Sequence, residues 1–118
     1  MIVEKDVVEL TPAVDAVDKK STLETIVLKK PVEYNGIKYE KLEFDFDKLT
    51  GKDLLSIGAE LRAQGKVATI PVASNDFLAV TAIRACTAEI GVDIYAVLSF
   101  YDATKIETMT RNFMLGVE

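Results

Sequence analysis

Between residues 25 and 46 the chain carries the pattern that most restricts its fold. Asn35-Gly36 lies between two β-rich runs. A two-residue type I′ turn needs positive φ at both central positions, and Asn-Gly tolerates this best. Upstream, Thr25-Ile26-Val27-Leu28 is rich in β-branched side chains. Downstream, Leu42, Phe44 and Phe46 alternate with Lys41, Glu43 and Asp45. Successive side chains on a strand point to opposite faces, so one face is apolar and the other wet. This is a β-hairpin that must lay one face on other elements.

The two strands conflict in register. A plain two-residue turn pairs Tyr34 with Ile37 and carries Leu28 opposite Glu43. Ile26 and Leu28 then face away from Leu42, Phe44 and Phe46. A slip of one residue moves every side chain to the other face. The apolar sets therefore agree only through an odd-length turn or a β-bulge. Lys30-Pro31 is the expected position, because Pro31 has no N–H to give to a ladder.

Helical signals follow. Thr50-Gly51-Lys52-Asp53 reads as a capping box. Leu54, Ile57, Gly58 and Leu61 then make an apolar stripe, and Gly65 supplies the stop. Gly58 is expected to permit close helix approach. Residues 65–73 read as a loop around Pro71. Ser74 predicts the cap of a second helix running through Glu89 and ended by Gly91. Phe77, Leu78, Val80, Ala82, Ile83, Ala85, Cys86 and Ile90 make that helix apolar nearly all round, which predicts a central position. Asp93 opens a short helix through Leu98. Ser99-Phe100-Tyr101-Asp102 caps a last helix to about Leu115, with Ala103, Ile106, Met109 and Phe113 on one face and Gly116 at its end. A hairpin followed by helices predicts an α+β fold, the N-terminal β-hairpin packed on a bundle of three to four α-helices. Residues 24–118 form a single domain in this reading. Residues 1–23 carry Glu4, Asp6, Glu9, Asp15 and Asp18 among scattered valines, and read as an acidic arm, flexible or ordered by a partner.

Composition narrows the chemistry. The chain has no His and one Cys among 118 residues. That excludes a His-based triad, a His metal ligand and an internal disulfide. Its formal charge of −5 argues against nucleic acid, whose phosphates call for basic patches. The apolar stretch from Phe77 to Ile90 is broken by Arg84 and Glu89 and is too short to cross ~30 Å of hydrocarbon. The acidic start of the chain lacks the pattern of a secretory signal. The one unpaired Cys reads most simply as a reduced cytoplasmic setting. Cys86 reads as a mid-helix core residue without a cationic activator. Glu43, Asp45 and Asp47 read as a solvated strand face rather than an oxygen-ligand cage. Gly51, Gly58 and Gly65 are not spaced as a phosphate loop. Lys29, Lys30, Lys38 and Lys41 alternate with Glu33, Glu40 and Glu43, which suits cross-strand pairing. No catalytic residue, cofactor or metal is expected.

The order of these signals resembles the tail assembly chaperone family of contractile-tailed phages and prophages. The matching residues are Leu28-Lys29-Lys30-Pro31-Val32-x-Tyr34-Asn35-Gly36 and Tyr39-x-x-Leu42. Phe44-Asp45-Phe46-Asp47-x-Leu49-Thr50-Gly51-x-Asp53-Leu54 continues the series. Ser74-x-x-Phe77-Leu78, Ala82-x-x-Ala85, Asp102-x-x-x-Ile106 and Asn112-Phe113-Met114-Leu115-Gly116 complete it. The resemblance covers about residues 24–118, and the arm lies outside it.

The resemblance implies a non-catalytic chaperone in the host cytoplasm. It would bind the phage tape-measure protein, help recruit tail-tube protein, and be absent from the mature virion. A longer form made by frameshifting is common in the family. Leu54, Leu61, Ile106, Met109, Phe113 and Met114 are the expected partner-binding residues, since Met-rich amphipathic surfaces suit apolar partner segments. No nucleic acid or membrane partner is expected, and a homo-oligomer stays open. Two alternatives from other classes stand beside this reading. One is a small structural tail or baseplate protein. The other is a small enzyme, for which the sequence offers no nucleophile–base pair.

Overall fold

The computed structural model describes residues 23–116. Two antiparallel strands, β1 (Leu23–Tyr34) and β2 (Ile37–Asp45), are followed by three helices: α1 (Gly51–Ala63), α2 (Asn75–Ala85) and α3 (Phe100–Leu115). Short 3₁₀ turns at Phe46–Lys48, Pro71–Ala73 and Val92–Ala96 join them. The fold is α+β, as the hairpin-then-helix order predicts. The segment expected as a short helix from Asp93 is the last of these 3₁₀ turns. The acidic-arm reading falls on residues outside the described ones, except that Leu23 already opens β1.

The hairpin turns at Asn35-Gly36 with φ of 52° and 80°. Both values are positive, as a type I′ turn demands. Tyr34 pairs with Ile37 and Val32 with Tyr39, but further along Val27 pairs with Lys41 and Ile26 with Leu42. Leu28 to Pro31 therefore span the ladder opposite Glu40 alone. The three extra residues are an odd number, and Ile26 thereby rejoins the face of Leu42. The expected bulge is present, around Lys30-Pro31. Ile26, Leu28, Val32, Leu42, Phe44 and Phe46 are all buried as a result.

That face packs on the helices. Ala82, Ala85, Cys86, Ile94, Leu98 and Ile106 close one core cluster with it. A second cluster joins Ile57 and Leu61 of α1 to Phe77 and Val80 of α2, with Met114 packed against it. α2 contributes to both and is buried nearly all round, as its apolar composition predicts.

Local signals explain the helix starts. At α1 the Thr50 and Asp53 side chains satisfy each other's backbone N–H in a capping box. Ser74 Oγ accepts from Phe77 N at α2, and Ser99 Oγ accepts from Asp102 N at α3. Gly65 and Gly116 adopt φ of 77° and 72° past the ends of α1 and α3. Gly58 does not serve close helix approach. An added Cβ there would meet only Arg62 Nη1, on the same helix, at 3.3 Å.

α2 ends earlier than its apolar pattern suggests. It stops at Ala85 rather than Glu89. Cys86 turns extended and bridges to Phe44, while Thr87 N donates to Glu43 O at 2.9 Å. The outer edge of β2 thus takes backbone partners that a continued helix would have kept. Edge strands expose unpaired N–H and C=O groups, and here a passing segment covers some of them. Cys86 is a core residue, at the helix end rather than its middle.

Candidate functional site

α3 is held by polar anchors that the apolar pattern does not reveal. Asp102 is fully buried, and its two carboxylate oxygens accept Lys29 N at 2.9 Å and Lys30 N at 3.1 Å. The bulge leaves these two N–H groups without ladder partners, and buried backbone donors must be satisfied. Burial pushes the Asp102 carboxyl up, but the Lys29 and Lys30 amides, the Ser99 hydroxyl and the Lys105 charge together hold it below the usual carboxylate range. On the same inner face Ile106 and Thr110 are buried, and the Thr110 hydroxyl donates to Ile106 O at 2.8 Å.

The opposite side of α3 borders an open groove of about 1390 Å³. β1 supplies Glu24, Thr25 and Ile26 to it, and the chain after β2 supplies Phe46 and Asp47. The helix supplies Phe100, Tyr101, Thr104, Lys105, Thr108, Met109, Asn112 and Phe113. Phe113 stacks on Phe46 with ring centroids 4.9 Å apart, and Phe46 stacks on Phe44 in turn. The floor is therefore an aromatic continuation of the hairpin core. Phe100 at the far end is 88 % exposed, and Tyr101 is 52 % exposed. The volume exceeds the ~300–1,000 Å³ of small-molecule pockets and suits a polypeptide segment.

The six expected partner-binding residues separate in the structure. Leu61 and Ile106 are buried in the two core clusters and offer no surface, which corrects their assignment. Both lie on the inner side of their helices, where an amphipathic stripe packs inward before it can meet a partner. Met114 is half-buried against the α1–α2 cluster. Met109 and Phe113 line the groove. Leu54 is half-exposed on α1 and does not line it. The structure brings only Met109 and Phe113 together in one cleft.

Phe100 and Tyr101 belong to the groove and were legible only as neighbours of a cap. Their signal is two large aromatics beside Ser99 on a helix whose apolar stripe runs elsewhere.

Other polar clusters serve the fold. Arg84 on α2 reaches Asp53, Ser56 and Glu60 on α1, with its nearest oxygens at 3.0–3.2 Å. Tyr34 Oη donates to Asp93 Oδ1 and accepts from Gly91 N, which ties the hairpin tip to the turn before α3. Lys38 stands across from Glu33 in the ladder, and Lys41 lies 3.8 Å from Glu43 along β2. Burial pushes the Cys86 thiol up, away from the reactive thiolate. Among the described residues, no three His, Cys, Asp or Glu side chains converge to hold a metal ion. No helix among them is long and apolar enough to cross a membrane. Compared with known protein families, curated proteins and solved structures, the chain matches none.

Proposed function

We propose that this chain is a non-catalytic phage or prophage tail assembly chaperone that binds an apolar helical segment of the tape-measure protein. The observation that carries the reading is the groove along α3. It is an apolar, aromatic-floored cleft of polypeptide size, opened by exposed Phe100, Tyr101 and Phe113. Covering an exposed large apolar side chain contributes ~1.5–3 kcal/mol, so most of the hold on an apolar helix comes from Phe100 and Tyr101, with a smaller share from the partly buried Phe113 and Met109. The ordered motifs from Leu28 to Gly116 that resemble the tail chaperones support the same reading, as does the net charge of −5, which favours solubility for a protein with exposed apolar surface. The chaperone would act in the host cytoplasm and assist recruitment of tail-tube protein.

Co-expression with the tape-measure protein of the same phage or prophage tests this. The wild-type chain should keep that protein soluble and co-purify with it. Phe100→Asp and Tyr101→Asp, at the exposed mouth of the groove, should abolish co-purification while the chain itself stays folded by circular dichroism. Equal recovery of the partner with these folded variants would refute the groove's role. Mass spectrometry of purified particles should lack the chain; its presence at fixed stoichiometry would favour a structural tail component instead.

A further inference from the structure

The groove has opposite charge at its two ends. β1 runs antiparallel to α3: its bulge meets Asp102 in the first turn, while its start pairs beside Phe46, which stacks on Phe113 near the last turn. At the Phe113 end the lining includes Glu24 and Asp47, both exposed. The C-terminal carbonyls of α3 add the negative end of its dipole there. At the Tyr101 end the charge is positive. Lys29 Nζ lies 4.9 Å and Lys105 Nζ 5.7 Å from the Tyr101 ring centroid. The nearby Asp102 carboxylate is turned inward onto the Lys29 and Lys30 amides.

We propose that the groove reads charge order along its guest. It takes an apolar helical segment with an acidic first turn and a basic last turn, lying parallel to α3. This rests on the reading of the groove as a partner site and adds the chemistry of the segment. In that orientation the guest's acids meet Lys29 and Lys105, and its bases meet Glu24 and Asp47. The reverse order sets like charges together, which a partner surface rejects. From Phe100 to Gly116 the lining spans roughly 24 Å at ~1.5 Å per residue, so a guest of about four to five helical turns fills it. Acid-first, base-last is also the order that stabilises an isolated helix, so the preferred guest is already organised before it docks.

Two labelled peptides of about 18 residues test this against the full chain. They share apolar residues at helical spacing and differ only in order: glutamates first and lysines last, or the reverse. Fluorescence anisotropy at low salt should show the acid-first peptide binding roughly five-fold tighter, with the gap narrowing as salt rises. In a D47K/K105E variant, checked for folding by circular dichroism, the preference should fall to parity or reverse. That arm separates the groove's charges from the peptides' own helicity. Equal binding of both peptides, or an unchanged preference in the double variant, overturns the charge-order proposal and leaves the groove standing. Binding of neither peptide to the wild-type chain removes the groove as a partner site and this proposal with it.

Discussion

The carboxylate of Asp102, in the first turn of α3, accepts the backbone N–H groups of both Lys29 and Lys30, which are 73 and 72 residues away in the chain. One side chain thus stabilises the bulge that corrects the hairpin register and fixes the helix that borders the groove. Asp102→Asn should cost about 2–3 kcal/mol, because an amide supplies one acceptor oxygen where two donors wait. Urea denaturation measures it. A loss below about 0.5 kcal/mol would mean that the bulge is held by packing alone.

The same contact predicts acid lability. The Asp102 carboxyl lies below its ordinary value of 3.8 in the folded chain. A lowered folded value contributes stability that is fully present above the unfolded value and is lost as pH falls through the folded one. Thermal melts from about pH 6 down to pH 2.5 should therefore show a steeper loss for the wild-type chain than for Asp102→Asn. Parallel curves would sink this assignment, with Asp53, also lowered, as the next carboxylate to vary.

The hairpin turn makes a narrower prediction. Gly36 has φ of 80°, and nothing lies within 4 Å of an added Cβ. Gly36→Ala should then destabilise by about 1 kcal/mol through backbone strain alone. Asn35→Gly should change stability little, since its φ of 52° also suits glycine. Both are read from chemical denaturation midpoints.

Tyr95 carries a buried hydroxyl with no hydrogen-bond partner among the described residues. Burial first, and the Glu107 charge next, push its ionisation far up. An unpartnered buried hydroxyl costs free energy, so Tyr95→Phe should be neutral or stabilising by up to about 1 kcal/mol. A clear destabilisation would reveal a partner for that oxygen.

Cys86 should be a reporter of unfolding. Its side chain is buried and its thiol is raised from 9.0. Alkylation at pH 8 should be slow in the folded chain and should speed up along the urea transition. Fast labelling without denaturant would contradict its place in the core.

Much of the fold was legible because it is written in short-range sterics. Asn35-Gly36, the caps at Thr50, Ser74 and Ser99, and the stops at Gly65 and Gly116 each depend on a few neighbouring residues. Even the bulge could be inferred, since parity alone forbids Ile26 and Leu42 from sharing a face without it. The site was less legible. A stripe such as Leu54-Ile57-Leu61 shows that a side is apolar, not whether it meets the core or a partner. Leu61 and Ile106 turn inward for that reason, while Phe100 and Tyr101 follow the Ser99 cap, a local signal that says nothing of the groove they line.

The sequence by itself determined the elements, their order and the α+β class, because turns, caps and alternation are local. Tertiary structure alone decided where α2 ends, what satisfies the bulge and which side of α3 stays open. Those outcomes depend on Thr87 N reaching Glu43 O, on Asp102 reaching Lys29 and Lys30, and on Phe113 stacking over Phe46. Each joins residues far apart in the chain, and their contact exists only once the hairpin has closed onto the helices.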